Sequence, residues 1–320
     1  MPETILTVTQ LKKYFPIKSF FGRVKNSIKA VDGVSLSIER GRTYGLVGET
    51  GCGKSTAGRL ILKLLPATGG RIFFEGNDIT DLSEAEMRPY RRKMQIVFQD
   101  PYTSLNPCKR IGSILQEALE IGGVENRAER EERAVDILNK VGLPPQHFYR
   151  FPHEFSGGQR QRIGLARALV QNPSLVVCDE PVSALDVSIQ SQILNLLMDM
   201  QREFDAAYLF IAHDMSVIRH ISSRVGVMYL GVLLEEGDTD ELFGNPAHPY
   251  TKALLSAVPS VKRREMAGRA ISGEIPSPMN APAGCVFCGR CPHRSEKCEK
   301  TRPRMRKISP GHSAACVLCG

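Results

Sequence analysis

The 320-residue sequence has no apolar run as long as about 18 residues, so we expect no segment of it to span a bilayer. Residues 1–4 do not begin a basic and then apolar stretch, which argues against a secretory signal. Internal repeats and low-complexity tracts are also missing. Without an export signal we expect a reducing compartment, where the nine cysteines would not form a disulfide framework.

Aromatic residues are missing from the most basic part of the chain. The net charge is +8, and residues 290–307 carry a dense group of lysines and arginines with no Phe, Trp or Tyr among them. Because stacking on bases needs aromatic rings, we expect no nucleic-acid partner. The stretch is instead typical of a solvated tail or of a docking face near a membrane or a protein partner.

The composition is that of a globular protein, with 42% hydrophobic and 24% charged residues, and the length fits one large α/β domain with an appendage. Apolar runs predict strands at 5–9, 30–38, 43–47, 175–178, 208–211 and, as a pair, within 224–237, with a hairpin and loop at 71–82. Helical spacing predicts helices at 54–65 and 156–170 and a helix-rich region at 101–150, and a polar stretch at 18–29 is expected to interrupt the first strands.

These elements predict an α/β core with an inserted helical subdomain at about 100–170. After Pro259 the composition shifts to Pro, Gly and Cys, which indicates a boundary. We therefore predict two domains, residues 1–258 and residues 259–320.

A phosphate-binding motif follows the predicted strand 43–47 and opens the predicted helix 54–65. The motif G-x-x-x-x-G-K-[ST] and the residue after it comprise Gly48, Glu49, Thr50, Gly51, Cys52, Gly53, Lys54, Ser55 and Thr56. Glycines let backbone amides turn inward as an anion nest, and the helix N-terminus adds its positive dipole end. Lys54 is expected to reach the β and γ phosphates and Ser55 to bind Mg²⁺, so ATP and Mg²⁺ are the predicted ligands. Cys52 is interpreted as a small filler residue.

Two carboxylates, Asp179 and Glu180, end the buried strand 175–178. Ligands of open α/β sheets bind at the carboxyl ends of strands, so this position suits a nucleotide site. We expect Asp179 to hold Mg²⁺ and Glu180 to orient or deprotonate the attacking water.

A second motif, Phe155-Ser156-Gly157-Gly158-Gln159, resembles the signature sequence of ABC ATPases, with Phe155 in place of the usual Leu. Ser156 can cap the following helix, and the two glycines leave its N-terminus accessible to an anion. The resemblance implies an ABC-type P-loop NTPase fold: a RecA-like core, an antiparallel β subdomain, an inserted α-helical subdomain and a small Cys-rich C-terminal extension. It also implies a dimer in which the signature of one subunit closes over the nucleotide held by the phosphate loop of the other.

The other motifs of that family follow in order, and their roles are implied by the resemblance. Gln99 matches the Q-loop glutamine, which would contact Mg²⁺ or the attacking water. Asp186 lies in a sequence similar to the D-loop of the dimer interface, and His213 resembles the H-loop histidine at the γ-phosphate. Phe15 matches the aromatic residue that stacks on adenine, with Tyr14 as the competing position.

Two further segments, 99–107 and 248–255, resemble those of oligopeptide and dipeptide importers. This resemblance implies an ATPase that powers peptide import from the cytoplasmic face of the membrane. The implied partners are a second ATPase subunit, as a heterodimer with a paralogue, two transmembrane permease subunits and, indirectly, a peptide-binding protein. Nickel or another small solute is an alternative cargo. A soluble ABC ATPase is a second alternative, although such proteins usually carry two cassettes or a coiled-coil insertion.

Six cysteines lie in the last 36 residues. Four of them, Cys285, Cys291, Cys298 and Cys316, resemble the C-terminal cluster of peptide-importer ATPases, which implies a [4Fe–4S] centre. Cys288 and Cys319 are additional and create C-x-x-C spacings that also suit tetrahedral zinc. Thiols that bind no metal, or that are redox-active, are the remaining alternative.

Overall fold

The computed structural model describes residues 3–18, 24–257, 276–277, 279 and 282–319. These residues divide into two compact units. The first unit contains the chain up to residue 5, residues 38–42 and residues 81–211. The second unit contains residues 6–37, residues 43–80 and the described chain from residue 212 onward.

The described residues form twelve strands and eleven α-helices. The strands are β1 (Thr4–Lys18), β2 (Val24–Glu39), β3 (Thr43–Val47), β4 (Gly69–Phe74), β5 (Asn77–Asp78), β6 (Met94–Val97), β7 (Leu175–Asp179), β8 (Ala207–Ala212), β9 (Arg224–Tyr229), β10 (Val232–Asp238), β11 (Arg306–Ser309) and β12 (His312–Ala314). The helices are α1 (Lys54–Ile61), α2 (Glu84–Lys93), α3 (Pro101–Ser104), α4 (Ile111–Ile121), α5 (Arg127–Lys140), α6 (Gly157–Leu169), α7 (Val187–Phe204), α8 (Met215–Ile221), α9 (Thr239–Gly244), α10 (Pro249–Ser256) and α11 (Glu296–Lys300).

The first unit is built on the parallel strands β6, β7 and β8, with β7 in the middle. Every residue of β7 and β8 is buried. A strand covered on both faces reads as a continuous apolar run, which is why the sequence identified both strands. The prediction of buried parallel strands at 175–178 and 208–211 is therefore confirmed.

Helices α2 to α7 complete the first unit. Helix α4 buries Ile111, Ile114, Leu115 and Leu119, a spacing that places them on one side of the helix. Asn126 caps α5 by accepting a hydrogen bond from the backbone N–H of Ala128 at 2.9 Å. The helix-rich character expected for residues 101–150 is confirmed.

In the second unit, β1 pairs antiparallel with β4, and β4 with β5, as expected for the hairpin at 71–82. Strand β3 pairs in parallel with β9, which continues antiparallel to β10. Two predictions near the N-terminus were wrong. Strand β1 extends to Lys18 instead of ending at residue 9, and β2 begins at Val24, inside the stretch expected to interrupt the strands.

Helix α1 is shorter than the predicted 54–65. It ends at Ile61, and Lys63 has a left-handed backbone with φ 52°, which no continuing helix can accommodate. The apolar side chains that follow kept the helical spacing in the sequence without continuing the helix.

The last described part of the chain, residues 282–319, is named here the cysteine segment. Its strand β12 pairs antiparallel with β10, and β11 pairs with β12. The boundary predicted at residue 259 falls within 258–275, outside the described residues. Among the helices that the structure describes, none is long and apolar enough to cross a bilayer.

Candidate functional site

The phosphate-binding motif forms the turn between β3 and α1 in the second unit. Lys54 is 4% exposed, and its Nζ donates hydrogen bonds to the carbonyl oxygens of Gly48 at 2.7 Å and Glu49 at 3.1 Å. The loop thus curls around its own ammonium group. A buried ammonium surrounded by backbone dipoles is a suitable partner for an anionic phosphate.

Two positions of this loop require glycine. Gly53 has φ 105°, and a Cβ there would lie 2.0 Å from the carbonyl oxygen of Ala30. A Cβ on Gly48 would lie 2.0 Å from the carbonyl oxygen of Met228. The loop backbone therefore runs directly against neighbouring backbone, and no side chain fits between them.

Cys52 is a buried residue of the loop. Burial raises the pKa of the thiol, so the neutral form is favoured. The Cys52 carbonyl oxygen accepts a hydrogen bond from the backbone N–H of Gly231 at 2.8 Å.

In the first unit, the carboxylates predicted at the end of β7 lie where expected. Asp179 is the last residue of the strand and is 4% exposed. Glu180 follows with a left-handed backbone at φ 48°, a conformation that non-glycine residues adopt mainly where the surrounding structure enforces it. Its Oε2 accepts a hydrogen bond from Gln99 Nε2 at 3.2 Å, and Gln99 also lies 3.4 Å from Ser183 Oγ. The structure therefore brings together two residues, Gln99 and Glu180, that are 81 positions apart in the chain.

The signature motif begins helix α6. The Ser156 side chain accepts a hydrogen bond from the Gln159 N–H at 3.4 Å, and Gln159 Oε1 accepts one from the Ser156 N–H at 3.1 Å. This reciprocal capping confirms the prediction that Ser156 caps the helix. Gly158 permits a close contact, because a Cβ there would lie 2.7 Å from Cγ2 of Ile189 on α7. Asp186 is the residue immediately before α7 and is exposed.

The remaining predicted residues lie in the second unit. His213 is exposed and directly follows β8. Phe15 is 37% exposed, with Lys13 Nζ above its ring at 5.1 Å from the centroid. The competing residue, Tyr14, is engaged elsewhere, since its hydroxyl donates to Asp32 Oδ1. Burial, followed by this hydrogen bond, raises the pKa of Tyr14 to about 12. Phe15 is thus the more available ring for stacking.

One contact at the phosphate loop was missed by the sequence reasoning. Arg290 of the cysteine segment forms a two-pronged ion pair with Glu49, with Nη1–Oε2 at 2.6 Å and Nη2–Oε1 at 3.0 Å. Tyr250 also contacts Glu49, accepting a hydrogen bond from its backbone N–H at 3.0 Å. The pair joins residues 241 positions apart, so no local pattern signals it.

The cysteines of the same segment lie within electrostatic range of one another. Burial, followed by the nearby thiols of Cys298, Cys288 and Cys316, raises the pKa of Cys285 to about 11. The Cys285 N–H donates to the Cys298 carbonyl oxygen at 2.7 Å, and this hydrogen bond joins the two ends of the stretch 285–298. Within the described ranges, no group of three or more His, Cys, Asp or Glu side chains is arranged to hold a metal ion.

Comparison with known proteins gives matches over nearly the whole chain. The family model for ABC transporters matches residues 31–183, and the model for the C-terminal region of oligopeptide/dipeptide transporters matches residues 234–298. The oligopeptide transport ATP-binding protein AppF of Bacillus subtilis is 52% identical, over 99% of this chain and 98% of the relative. The dipeptide transport ATP-binding protein DppF of Escherichia coli is 46% identical, over 99% of this chain and 95% of the relative.

Solved structures match the fold. The ATP-binding cassette MJ0796, in a dimeric post-hydrolysis state bound to ADP and Pi, has a TM-score of 0.65 and 27% identity, covering 73% of this chain and 99% of that one. CbiO1 of Clostridium perfringens, part of the transporter complex cbiONQ, has a TM-score of 0.65 and 28% identity, covering 76% of this chain and 92% of that one. These matches confirm the predicted α/β fold of the ATP-binding cassette type.

Proposed function

Because the chain belongs to the family of oligopeptide and dipeptide transport ATP-binding proteins of ABC transporters, we propose that it hydrolyses ATP to power peptide import across the cytoplasmic membrane. The observation that carries this proposal is similarity over both parts of the chain. Relatives near 50% identity cover the ATPase region and the C-terminal region alike. A soluble ABC ATPase would need only the first.

The motif residues have distinct proposed roles. Lys54 binds the β and γ phosphates, because its ammonium is already held inside the loop that would receive them. Glu180 orients or deprotonates the attacking water. Gln99 donates a hydrogen bond to the Glu180 carboxylate and holds that carboxylate in position. Mg²⁺ would be held by the Ser55 hydroxyl and by Asp179, oxygen donors of the kind that this ion prefers.

Contacts with the base, the γ-phosphate and the opposite subunit complete the proposed nucleotide site. Phe15 stacks on adenine, and His213 contacts the γ-phosphate. Ser156 and its glycines contact the nucleotide of a partner ATPase, and Asp186 lies at the same interface. The dimeric MJ0796 cassette bound to ADP and Pi supports an assembly of two subunits. A heterodimer with a paralogue is our proposal for its composition.

A cavity of about 640 Å³ in the first unit is the proposed docking site for a transmembrane permease subunit. Its lining combines arginines with apolar residues, among them Arg88, Arg92, Phe98, Ile121 and Arg167. Ile121 is 77% exposed, and Phe98 directly precedes Gln99. A permease segment bound in this cavity would contact Phe98, the residue next to Gln99. Ile121→Glu should therefore abolish co-purification with the permease while ATP binding persists; co-purification at the wild-type level would contradict the docking site.

The domain organisation proposed from the sequence is an ATPase domain of residues 1–258, with a RecA-like core, an antiparallel β subdomain and a helical subdomain at about 100–170. Residues 259–320 form a cysteine-rich extension. The family model for the C-terminal region of peptide transporters, which reaches residue 298, supports a specialised role for that extension.

We further propose that Cys285, Cys291, Cys298 and Cys316 bind a [4Fe–4S] cluster, with zinc as the alternative ligand. Thiol donors, three of them buried, fit either group in kind. At Cys285, the N–H of Phe287 donates to the sulfur and partly offsets the rise in the thiol pKa that burial causes. When bound, the group would cross-link distant points of the segment, and no step of ATP hydrolysis is assigned to it.

Metal analysis tests the cluster. Protein purified without oxygen should be brown and contain about four irons per chain. Cys298→Ser should lose the iron, whereas Cys108→Ser, at an exposed cysteine outside the segment, should retain it. Colourless protein with stoichiometric zinc would establish the alternative.

Reconstitution tests the transport function. The subunit should be assembled in vesicles with its permease subunits, the second ATPase and the solute-binding protein. Peptides are expected to stimulate ATP hydrolysis and to accumulate inside, and Lys54→Ala should abolish both by weakening nucleotide binding. Stimulation by nickel but not by peptides would show that the transported solute is nickel. ATP hydrolysis at the full rate by a single subunit in which Ser156 and Gly157 are disabled would overturn the proposal that two subunits are required.

A further inference from the structure

The phosphate loop contains a single carboxylate. Among residues 48–55 only Glu49 is acidic, and it lies next to the first glycine of a loop that is proposed to hold a triphosphate. A free carboxylate beside an anion nest would repel the ligand, because charges a few ångströms apart interact strongly where water is partly excluded. The loop therefore needs this charge to be compensated.

Arg290 supplies the compensating charge. Its two terminal nitrogens contact both oxygens of Glu49, at 2.6 and 3.0 Å, a fork that only arginine can form. The Arg290 side chain is 7% exposed and that of Glu49 is 22% exposed, so bulk solvent screens the pair poorly. The arginine guanidinium is permanently protonated in proteins, so it supplies a fixed positive charge beside the carboxylate.

Neighbouring contacts determine where Arg290 lies. The Arg290 N–H donates to the carbonyl oxygen of Phe287 at 3.0 Å, closing a short turn of Cys288–Arg290. Phe287 is 1% exposed, and its ring packs against Tyr229 at 5.4 Å and Tyr250 at 5.2 Å between centroids. Phe287 therefore fixes the turn that presents the guanidinium to the phosphate loop.

The same aromatic group holds Glu49 from the other side. The Tyr250 hydroxyl accepts the Glu49 backbone N–H, while Arg290 binds the Glu49 side chain. Tyr229, in turn, contacts both Tyr250, at 4.8 Å between ring centroids, and the Arg290 guanidinium, at 3.4 Å from its hydroxyl. Backbone and side chain of one loop residue are thus fixed by residues from outside the loop.

We propose that Arg290 is a positioning residue for ATP binding. It neutralises Glu49 and fixes the phosphate loop, so that the affinity for ATP depends on the folded state of the cysteine segment. This inference rests on the proposed binding of ATP by the loop, and it assigns to the segment a function at the nucleotide site, separate from any metal that it holds.

A double-mutant cycle tests the charge compensation. The dissociation constant of a non-hydrolysable ATP analogue with Mg²⁺ would be measured for the wild type, Arg290→Gln, Glu49→Gln and the double variant. Arg290→Gln should weaken binding about tenfold, because an uncompensated carboxylate then faces the triphosphate. Glu49→Gln keeps the Arg290 cation and loses only the fixed position of the loop, so it should weaken binding at most about threefold. The double variant should bind more tightly than Arg290→Gln and within about threefold of Glu49→Gln, because no bare carboxylate faces the triphosphate.

The cycle distinguishes this role from a purely structural one. If the pair only stabilised the fold, losing either partner would weaken binding equally, and if Arg290 acted independently of Glu49 the two losses would multiply. In both cases the double variant would bind no better than Arg290→Gln. That result, or an unchanged dissociation constant in Arg290→Gln, would overturn the proposal. Arg294→Gln is the matched control, since Arg294 forms an exposed pair with Glu299 in the same segment and should leave the affinity unchanged.

Two more variants, Arg290→Lys and Lys54→Ala, test a milder substitution at residue 290 and the binding of the nucleotide by the phosphate loop. Arg290→Lys retains the charge without the fork and should lie between the wild type and Arg290→Gln. If Arg290→Gln does not fold, the double variant is compared with Glu49→Gln, and binding more than about threefold weaker would overturn the proposal. If Lys54→Ala binds the analogue normally, the nucleotide assignment itself is wrong; if only Lys54→Ala loses binding, Arg290 has no positioning role.

Discussion

Replacing Glu235 with Gln should loosen the attachment of the cysteine segment to the rest of the second unit. Glu235 lies on β10 and is fully buried. Its Oε1 contacts the Ala247 N–H at 2.7 Å and His312 Nε2 at 2.7 Å, and its Oε2 accepts the His248 N–H at 2.9 Å. One carboxylate thus connects β10, the turn before α10 and the first residue of β12.

The free-energy cost of Glu235→Gln follows from the number of hydrogen-bond donors that the carboxylate accepts. An ionised carboxylate only accepts, whereas the Gln amide carries an NH₂ group that must face at least one of these donors. The best orientation keeps the contacts at Oε1 and sets the NH₂ against the His248 N–H. Losing one charge-assisted hydrogen bond and leaving a buried N–H without a partner costs about 2–4 kcal/mol.

Hydrogen exchange measures this loss locally. The amide of His248 should exchange roughly 30-fold faster or more in Glu235→Gln, since about 1.4 kcal/mol corresponds to a tenfold change. The urea midpoint of the second unit should fall in parallel. Glu296→Gln is the control, because that carboxylate is 87% exposed and pairs only with Lys300 among the contacts described. Equal exchange in both variants would refute the argument that the charge at residue 235 is required.

Three further predictions concern catalysis, pH and the loop. Glu180→Gln should lower ATP hydrolysis by about 10²- to 10⁴-fold while ATP binding persists, because the amide can still accept from Gln99 but cannot take a proton; retained turnover in a steady-state assay would remove its assigned role. Burial lowers the pKa of His248 to about 4. Between about pH 6.5 and pH 4, His248 is therefore protonated in the unfolded chain but stays neutral in the folded chain. The free energy of unfolding should therefore decrease by about 3 kcal/mol as the pH falls through this window. In urea titrations, His248→Asn should show a weaker dependence of that free energy on pH; the same pH dependence as in the wild type would exclude this histidine as the cause. Gly53→Ala should lower the melting temperature more than Gly51→Ala, because both have positive φ but only the first Cβ meets backbone, the carbonyl of Ala30; equal melting temperatures would contradict the steric argument.

The sequence predicted best those elements whose burial is the same along their whole length. Strand β3 has all five residues buried, and its bounds match the predicted 43–47. Helix α6 was found because Ser156 and Gln159 mark its start in the local sequence. Strand β1 was predicted too short because its second half carries charges and Pro16, which a strand can accept where one side meets solvent.

The motifs of the candidate site could be found because each one is local. Chain order and spacing were enough to identify the phosphate loop and the signature, and the Gln99–Glu180 contact joins two such motifs. The Arg290–Glu49 pair could not be found in this way. Arginine occurs at many positions in a basic stretch, and only the packing of Phe287 selects the one that reaches the loop.

The pairing of β12 with β10 determines what shortening of the chain this protein tolerates. A chain ended after residue 257 would lose β11 and β12, leaving β10 with a row of unpaired backbone groups next to the apolar Leu233 and Leu234. Such an open strand is a template for pairing with other molecules and promotes aggregation. With both C-terminal strands present, this edge of the sheet is formed by β11, which is short and presents Arg306 and Lys307, features that discourage sheet-to-sheet association. We therefore expect the C-terminal strands to limit association through this edge of the sheet, and a fragment that ends after residue 257 to be difficult to keep in solution.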